Sequence, residues 1–350
     1  MELPKVTYFR KRGTGWGRSN SHFGGGLSKY FEPRLPGVAC EISNQFFALV
    51  QFASQRSRLV DKFAVGSLPK GLVVPSLTKP CIESVQDLVE IIKATLAKAA
   101  VDANRISLAI PDACVRVTIH PFEALPSKEK EKIELLKWKL KKTVPYDIDD
   151  SYLHFVEQQT ETGQYYVITV NIHQDVLTQF EEVFELLGIH VGLITPTTFA
   201  AYELLARQYS SDIQQSVLFM KVSTSNVSSL IIQQGAVVFY RHIDFDFKEL
   251  PDAEEKDRNL IWNQVADPYD EIHPCLMYYQ DKLGGTSVDK IYLMCPQDLQ
   301  EGELSSLMDR SKSSVSNFDP SQLFQWKHTT PFNSLKHTLS PALGLALRKF

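Results

Sequence analysis

The stretch Val38–Phe52, "VACEISNQFFALVQF", decides the fold. Val38 to Ile42 reads as a buried strand, because it is apolar except at Glu41. Ser43, Asn44 and Gln45 supply a polar turn, and Phe46 to Phe52 reads as the returning strand. The same shape recurs at Val217–Ile232, "VLFMKVSTSNVSSLII". Each copy opens a longer run of alternating strand and helix patterns. Two α/β halves that begin alike predict a duplicated architecture with a cleft between the halves.

The bulk numbers fit this. A chain of 350 residues with 43% hydrophobic content can fill one large or two to three medium cores. The net charge of −4 gives no global argument for a nucleic-acid or membrane surface. No apolar run is long enough for a spanning helix, and the start lacks an apolar signal segment. A cytoplasmic protein is therefore expected. Its five scattered cysteines, with no C-x-x-C, read as reduced, buried thiols.

Residues 1–36 differ from the rest. They are rich in Gly, Ser and Arg, lack a hydrophobic period, and read as a disordered basic arm. The "GTGWG" at Gly13–Gly17 is not a dinucleotide fingerprint, since no strand is expected before it and no helix after it. From Gly37 the pattern is α/β. Ser84 is placed to cap a helix carrying Val85, Leu88, Ile92 and Leu96. Ser127 is placed to cap a densely charged helix running to Val144. The strands "YLHFVEQQ" and "YYVITVNIH" follow, then an amphipathic helix that ends at Gly188.

Candidate chemistry outside the hairpins is thin. His242, Asp244 and Asp246 share a strand face by period two, but no fourth metal ligand is evident. His273 and Cys275 are too close and too isolated for zinc. No G-x-S-x-G elbow occurs. No Asp stands out as a catalytic residue at a strand end, as a sugar kinase would want.

Four stretches taken in series carry a resemblance. They are "VACEISNQFFALVQF"; the segment from "IPDACVRVTIHPF" through "VPYDIDDSYLHF"; "SVLFMKVSTSNVSSLIIQQGAVVFYRHI"; and "SPALGLALR". In order and spacing they resemble the PilM family of type IV pilus assembly proteins, which is similar to the division protein FtsA. The resemblance covers the chain from about Gly37 onward. It implies an actin-like ATPase fold, related to ribonuclease H, with duplicated domains and an inserted α+β subdomain. The expected boundaries are 37–114 and 195–215 for the first domain, 115–194 for the insertion, 216–337 for the second domain, and 338–350 for a helix packing back on the first. It implies as partner the N-terminal peptide of a PilN-like single-span membrane protein on the inner-membrane pilus platform. The peptide would lie in a groove beside the insertion, and membrane contact would be indirect.

The resemblance also gives a register for the phosphate loops. The family pattern in each hairpin is roughly D-I-G followed by Ser or Thr. The acid holds Mg²⁺, and the Gly lets backbone N–H groups face the phosphates. Here the first loop carries Glu41, Ser43 and Asn44. The second carries Lys221, Ser223 and Thr224. Both glycines are replaced, and one acid becomes a base that repels the metal. A third loop expected to read Gly-Gly runs Cys295-Pro296-Gln297. The expectation is a pseudo-ATPase that holds no cofactor and no metal and acts by binding. The alternative is an ATPase that binds Mg-ATP between the halves.

Overall fold

The computed structural model describes residues 9–12, 15–17, 37–54, 57–160, 163–223, 225–244, 268–327 and 332–347. Thr224, one of the expected phosphate-loop positions, and Asp246 lie outside these residues.

The opening stretch folds as read. β3 (Val38–Ile42) and β4 (Phe46–Phe52) form an antiparallel hairpin, and β5 (Leu59–Ser67) continues the meander. α1 (Val85–Lys98) crosses over to β6 (Arg105–Ile110), which lies parallel to β3. The Ser84 side chain caps α1 by accepting from the Asp87 N–H. Parallel to β6 lies β10 (His190–Pro196), followed by α4 (Thr197–Gln208).

The second unit repeats the plan. β11 (Ser216–Val222), β12 (Asn226–Gln233) and β13 (Ala236–Asp244) form the meander. α5 (Pro268–Leu283) leads to β14 (Lys290–Met294), parallel to β11. α6 (Glu301–Ser311) leads to β15 (Ser314–Asn317), parallel to β14. The orders β5-β4-β3-β6-β10 and β13-β12-β11-β14-β15 are therefore equivalent. Gln234 and Gly235, both at positive φ, turn β12 into β13 as a tight two-residue hairpin.

The last helix, α7 (Phe332–Ala346), begins well before residue 338. It packs on α4, β3, β4 and β6, which ties it to the first unit. The α4–α7 contact is close because Gly344 has no side chain; a Cβ there would lie 1.9 Å from the Ala200 carbonyl oxygen. One apolar core runs through this helix pair from the first sheet to Val217, Phe219 and Leu230 of the second.

Three expectations need correction. The insertion is a three-stranded sheet of β7 (Arg116–Phe122), β9 (Tyr165–His173) and β8 (Ser151–Gln159), with α2 (Glu129–Leu140). It ends near His173 rather than at residue 194. α3 (Gln174–Glu185) and β10 belong to the first unit, because Val176, Phe180, Val183 and Phe184 fill its core. Ser127 does not cap α2; the N-cap position is Lys128, with no side-chain bond. Of residues 1–36, only 9–12 and 15–17 are described, and the expected basic arm otherwise lies outside the described residues. β1 (Phe9–Arg12) and β2 (Gly15–Gly17) form a hairpin, and β1 pairs with β10. Without them β10 would be an unpaired sheet edge, whose N–H and C=O groups attract a further strand. No described helix is long and apolar enough to cross a membrane.

Candidate functional site

Two places in the fold gather polar chemistry. The first is where the β3–β4 and β11–β12 turns meet between the units. The two turns are built alike. In the first, the Ser43 hydroxyl accepts from the N–H groups of Gln45 (3.1 Å) and Phe46 (2.9 Å). The Ser43 N–H donates to the Phe46 carbonyl at 2.9 Å. In the second, the Ser223 hydroxyl accepts from Ser225 (3.3 Å) and Asn226 (3.1 Å). Its N–H donates to the Asn226 carbonyl at 2.8 Å. A phosphate cradle leaves such N–H groups aimed outward for the anion. Here the serine of each turn takes them. Across the gap, Asn44 Nδ2 donates to Ser225 Oγ at 3.1 Å, so the turns are bonded to each other.

Below the turns sit buried titratable side chains. Glu41 is 2% exposed, and its Oε2 has no hydrogen-bond partner. Burial pushes its carboxyl up to about 8; Lys221 pulls it back and Asp112 adds to the rise. At neutral pH this acid is protonated, and a protonated carboxyl is a poor metal ligand. Lys221 is itself buried. From α7, His337 Nε2 donates to the Val222 carbonyl at 2.6 Å. Burial and then Lys221 push that imidazole down to about 3, so it stays neutral.

Asp112 is the residue that sequence reasoning missed. It stands two residues past the end of β6, after Pro111, and is buried. Its carboxylate accepts from the hydroxyls of Thr197 (2.6 Å) and Thr198 (2.8 Å) and from the Thr198 N–H (3.2 Å). The Ser228 hydroxyl of the second unit adds a longer bond at 3.4 Å. Ser228 in turn meets His242 Nδ1 at 2.7 Å, and His242 Nε2 lies 3.1 Å from Asp244. The available signal was position, since the crevice of an open α/β sheet lies beyond the carboxyl ends of its parallel strands. No group of three or more His, Cys, Asp or Glu among the described residues is placed to hold a metal.

The third loop is pinned as well. Asn317 receives the Leu299 N–H at 3.0 Å and donates to the Leu299 carbonyl at 2.9 Å. Lys336 of α7 pairs with Asp298.

The second place is a groove of about 1070 Å³ between the insertion and the second unit. β7 and β13 are the outer strands of their sheets, and both line it. Arg116 and Ile119 come from β7, Phe239 from β13, and Tyr278 and Lys282 from α5; Pro75 also lines it. Tyr278 is 46% exposed and its ring lies 5.0 Å from that of Phe239. Gln158 of β8 fixes the geometry. Its amide donates to the Val237 carbonyl at 3.1 Å and accepts the Val237 N–H at 2.9 Å.

Two equivalent sheets, joined through a helix pair and interrupted by a small inserted sheet, define an actin-like fold. The family model described as type IV pilus assembly protein PilM matches residues 39–255, more than half of the chain, and the chain belongs to that family. Among solved structures it is similar to the "PilM-PilN type IV pilus biogenesis complex", with 16% identity and a TM-score of 0.76 over 90% of this chain and 98% of that one. The ethanolamine utilization protein EutJ from Carboxydothermus hydrogenoformans matches with 11% identity, 90% of each chain and a TM-score of 0.48. The cytoplasmic domain of EpsL, an inner-membrane component of the type II secretion system of Vibrio cholerae, matches with 10% identity, 89% of this chain, 95% of that one and a TM-score of 0.47. No curated protein sequence matches the chain.

Proposed function

We propose that this chain serves type IV pilus assembly as a binding scaffold. It holds the N-terminal segment of a PilN-like membrane protein in the groove between β7 and β13, on the cytoplasmic side of the inner membrane. The observation that carries this reading is a groove walled by two outer strands. Each has one side without a partner strand, where backbone N–H and C=O groups, other than those of Val237 held by Gln158, can meet an added extended peptide. Phe239, Tyr278 and Ile119 supply apolar contacts for alternate side chains of such a peptide.

The cleft between the units works, in this reading, as a closed joint. Its turn N–H groups bind their own serines, its retained acid is protonated, and Lys221 supplies the positive charge a metal would bring. No ATP and no Mg²⁺ are needed to hold the halves together.

Titration of the full chain with a labelled synthetic peptide, copied from the N-terminus of a PilN-like protein, tests the first part. Saturable binding that weakens at least about tenfold in Phe239→Ala/Tyr278→Ala is expected, since aromatic anchors that become covered on binding are worth ~2 kcal/mol or more. Absence of binding would reject the groove as the peptide site. Calorimetry with Mg-ATP tests the second part. No heat is expected, and micromolar Mg-dependent affinity would restore the ATPase reading.

A further inference from the structure

The structure assigns a second contact to the insertion: the C-terminal turn of α2 docks on an anionic phospholipid surface. Trp138 is 63% exposed, the most exposed large hydrophobic residue among those described. Around it stand Lys137, Lys139, Lys141 and Lys142, with no acid from Leu135 to Tyr146. Trp138, Lys141 and Lys142 lie at i, i+3 and i+4, so the helical turn gathers them on one side. The Lys142 ammonium rests 5.5 Å from the centre of the Trp138 ring. Lys139 rests 4.9 Å from that of Phe122. The ion pairs of α2, Lys128–Glu131, Lys132–Glu157 and Lys137–Asp149, leave out Lys139, Lys141 and Lys142.

The opposite side of α2 is satisfied inside the protein. Leu136 and Leu140 are buried, and Leu140 packs with Val144 and Ile148. Packing therefore does not explain the outward tryptophan. Its ring and the lysines around it suit the chemistry of a headgroup layer, where indole sits at the interface and ammonium groups meet phosphates. Charge complementarity favours an anionic bilayer as the occupant.

Position supports the assignment. Pro121, beside Phe122, and Pro145, beyond the end of α2, both line the groove. The basic turn thus stands at the rim of the groove proposed for the tail of a membrane protein. Each exposed lysine near such a surface contributes about 1 kcal/mol, so the patch alone binds weakly. A tether in the groove would raise its effective concentration at the bilayer. The lipid contact does not depend on that peptide, and its test omits the peptide.

The test is co-sedimentation of the full chain with vesicles of phosphatidylcholine alone and of phosphatidylcholine mixed with phosphatidylglycerol, at low and at physiological salt. Partitioning onto the mixed vesicles only, weakened by salt, is expected. Lys139→Gln/Lys141→Gln/Lys142→Gln should lower it about a hundredfold, three lysines at about 1 kcal/mol each. Trp138→Ala should lower it several-fold, with both variants retaining the wild-type circular dichroism spectrum and peptide affinity. Equal binding to neutral vesicles, no binding to anionic ones, or an unchanged partition in the triple variant would overturn the proposal. So would lysine-dependent binding to duplex DNA without binding to vesicles.

Discussion

The β3–β4 and β11–β12 hairpins share a backbone and differ in charge. In both, a serine closes the turn by accepting two N–H groups and donating its own. Two residues before that serine, the first hairpin places Glu41 and the second Lys221. Duplication has kept the hydrogen-bond scheme, which any local Ser can satisfy. It has not kept the charge, which depends on what lies across the cleft. The two loops therefore share a fold and differ in what they bury, a protonated acid in one and a lysine in the other. Asn44 and Ser225 join them with a direct bond.

The comparison is tested most severely at Asp112, which fastens α4 of the first unit to β12 of the second. Asp112→Ala strips a buried acceptor from Thr197, Thr198 and Ser228. A loss of about 4 kcal/mol in urea unfolding is expected. An unchanged midpoint would mean that the helix pair α4–α7 alone joins the units.

Glu41 gives a test through pH. Its carboxyl is raised from 4.5 to about 8 in the folded protein. The folded state therefore keeps a proton that the unfolded chain has lost between those values. Stability should fall as pH rises through that window, by as much as about 1.4 kcal/mol per unit, and level off above it. Glu41→Gln should remove this slope. A wild type and variant with parallel profiles would place Glu41 in water, outside the paired loops.

Gln158→Ala leaves the Val237 N–H and C=O without their partner. About 2 kcal/mol of destabilisation is expected, with faster hydrogen exchange at the Val237 amide. The smallest effect belongs to the turns themselves. A double-mutant cycle of Asn44→Ala and Ser225→Ala should give a coupling of about 1 kcal/mol. A coupling of zero would reduce their contact to proximity.

The hairpins were legible because two apolar runs, broken by Ser-Asn-Gln or Ser-Thr-Ser, are a local signal. Ser84 was legible as a cap for the same reason, since Asp87 lies three residues away. What stayed hidden depends on distant chain. Asp112 means little beside Pro111 and Ala113; Thr197, Thr198 and Ser228, far along the sequence, give it a role. The hairpin at Phe9–Gly17 was invisible because its pairing is to Leu193 and Ile194 of β10. α6 was overlooked because only Leu307 is buried along it, too little for an apolar period to show. The insertion's end was misplaced because α3 has the same amphipathic pattern whichever neighbour it packs against.

The clasp between Gln158 and Val237 joins a segment that the first unit inserts to a strand that the second unit owns. It stands apart from the Asp112–Ser228 and Asn44–Ser225 links. Each of these links would have to break before the halves could swing apart. The walls on either side of the groove are then set before any guest arrives. A peptide entering it would lose its own freedom on docking but would not have to order its host.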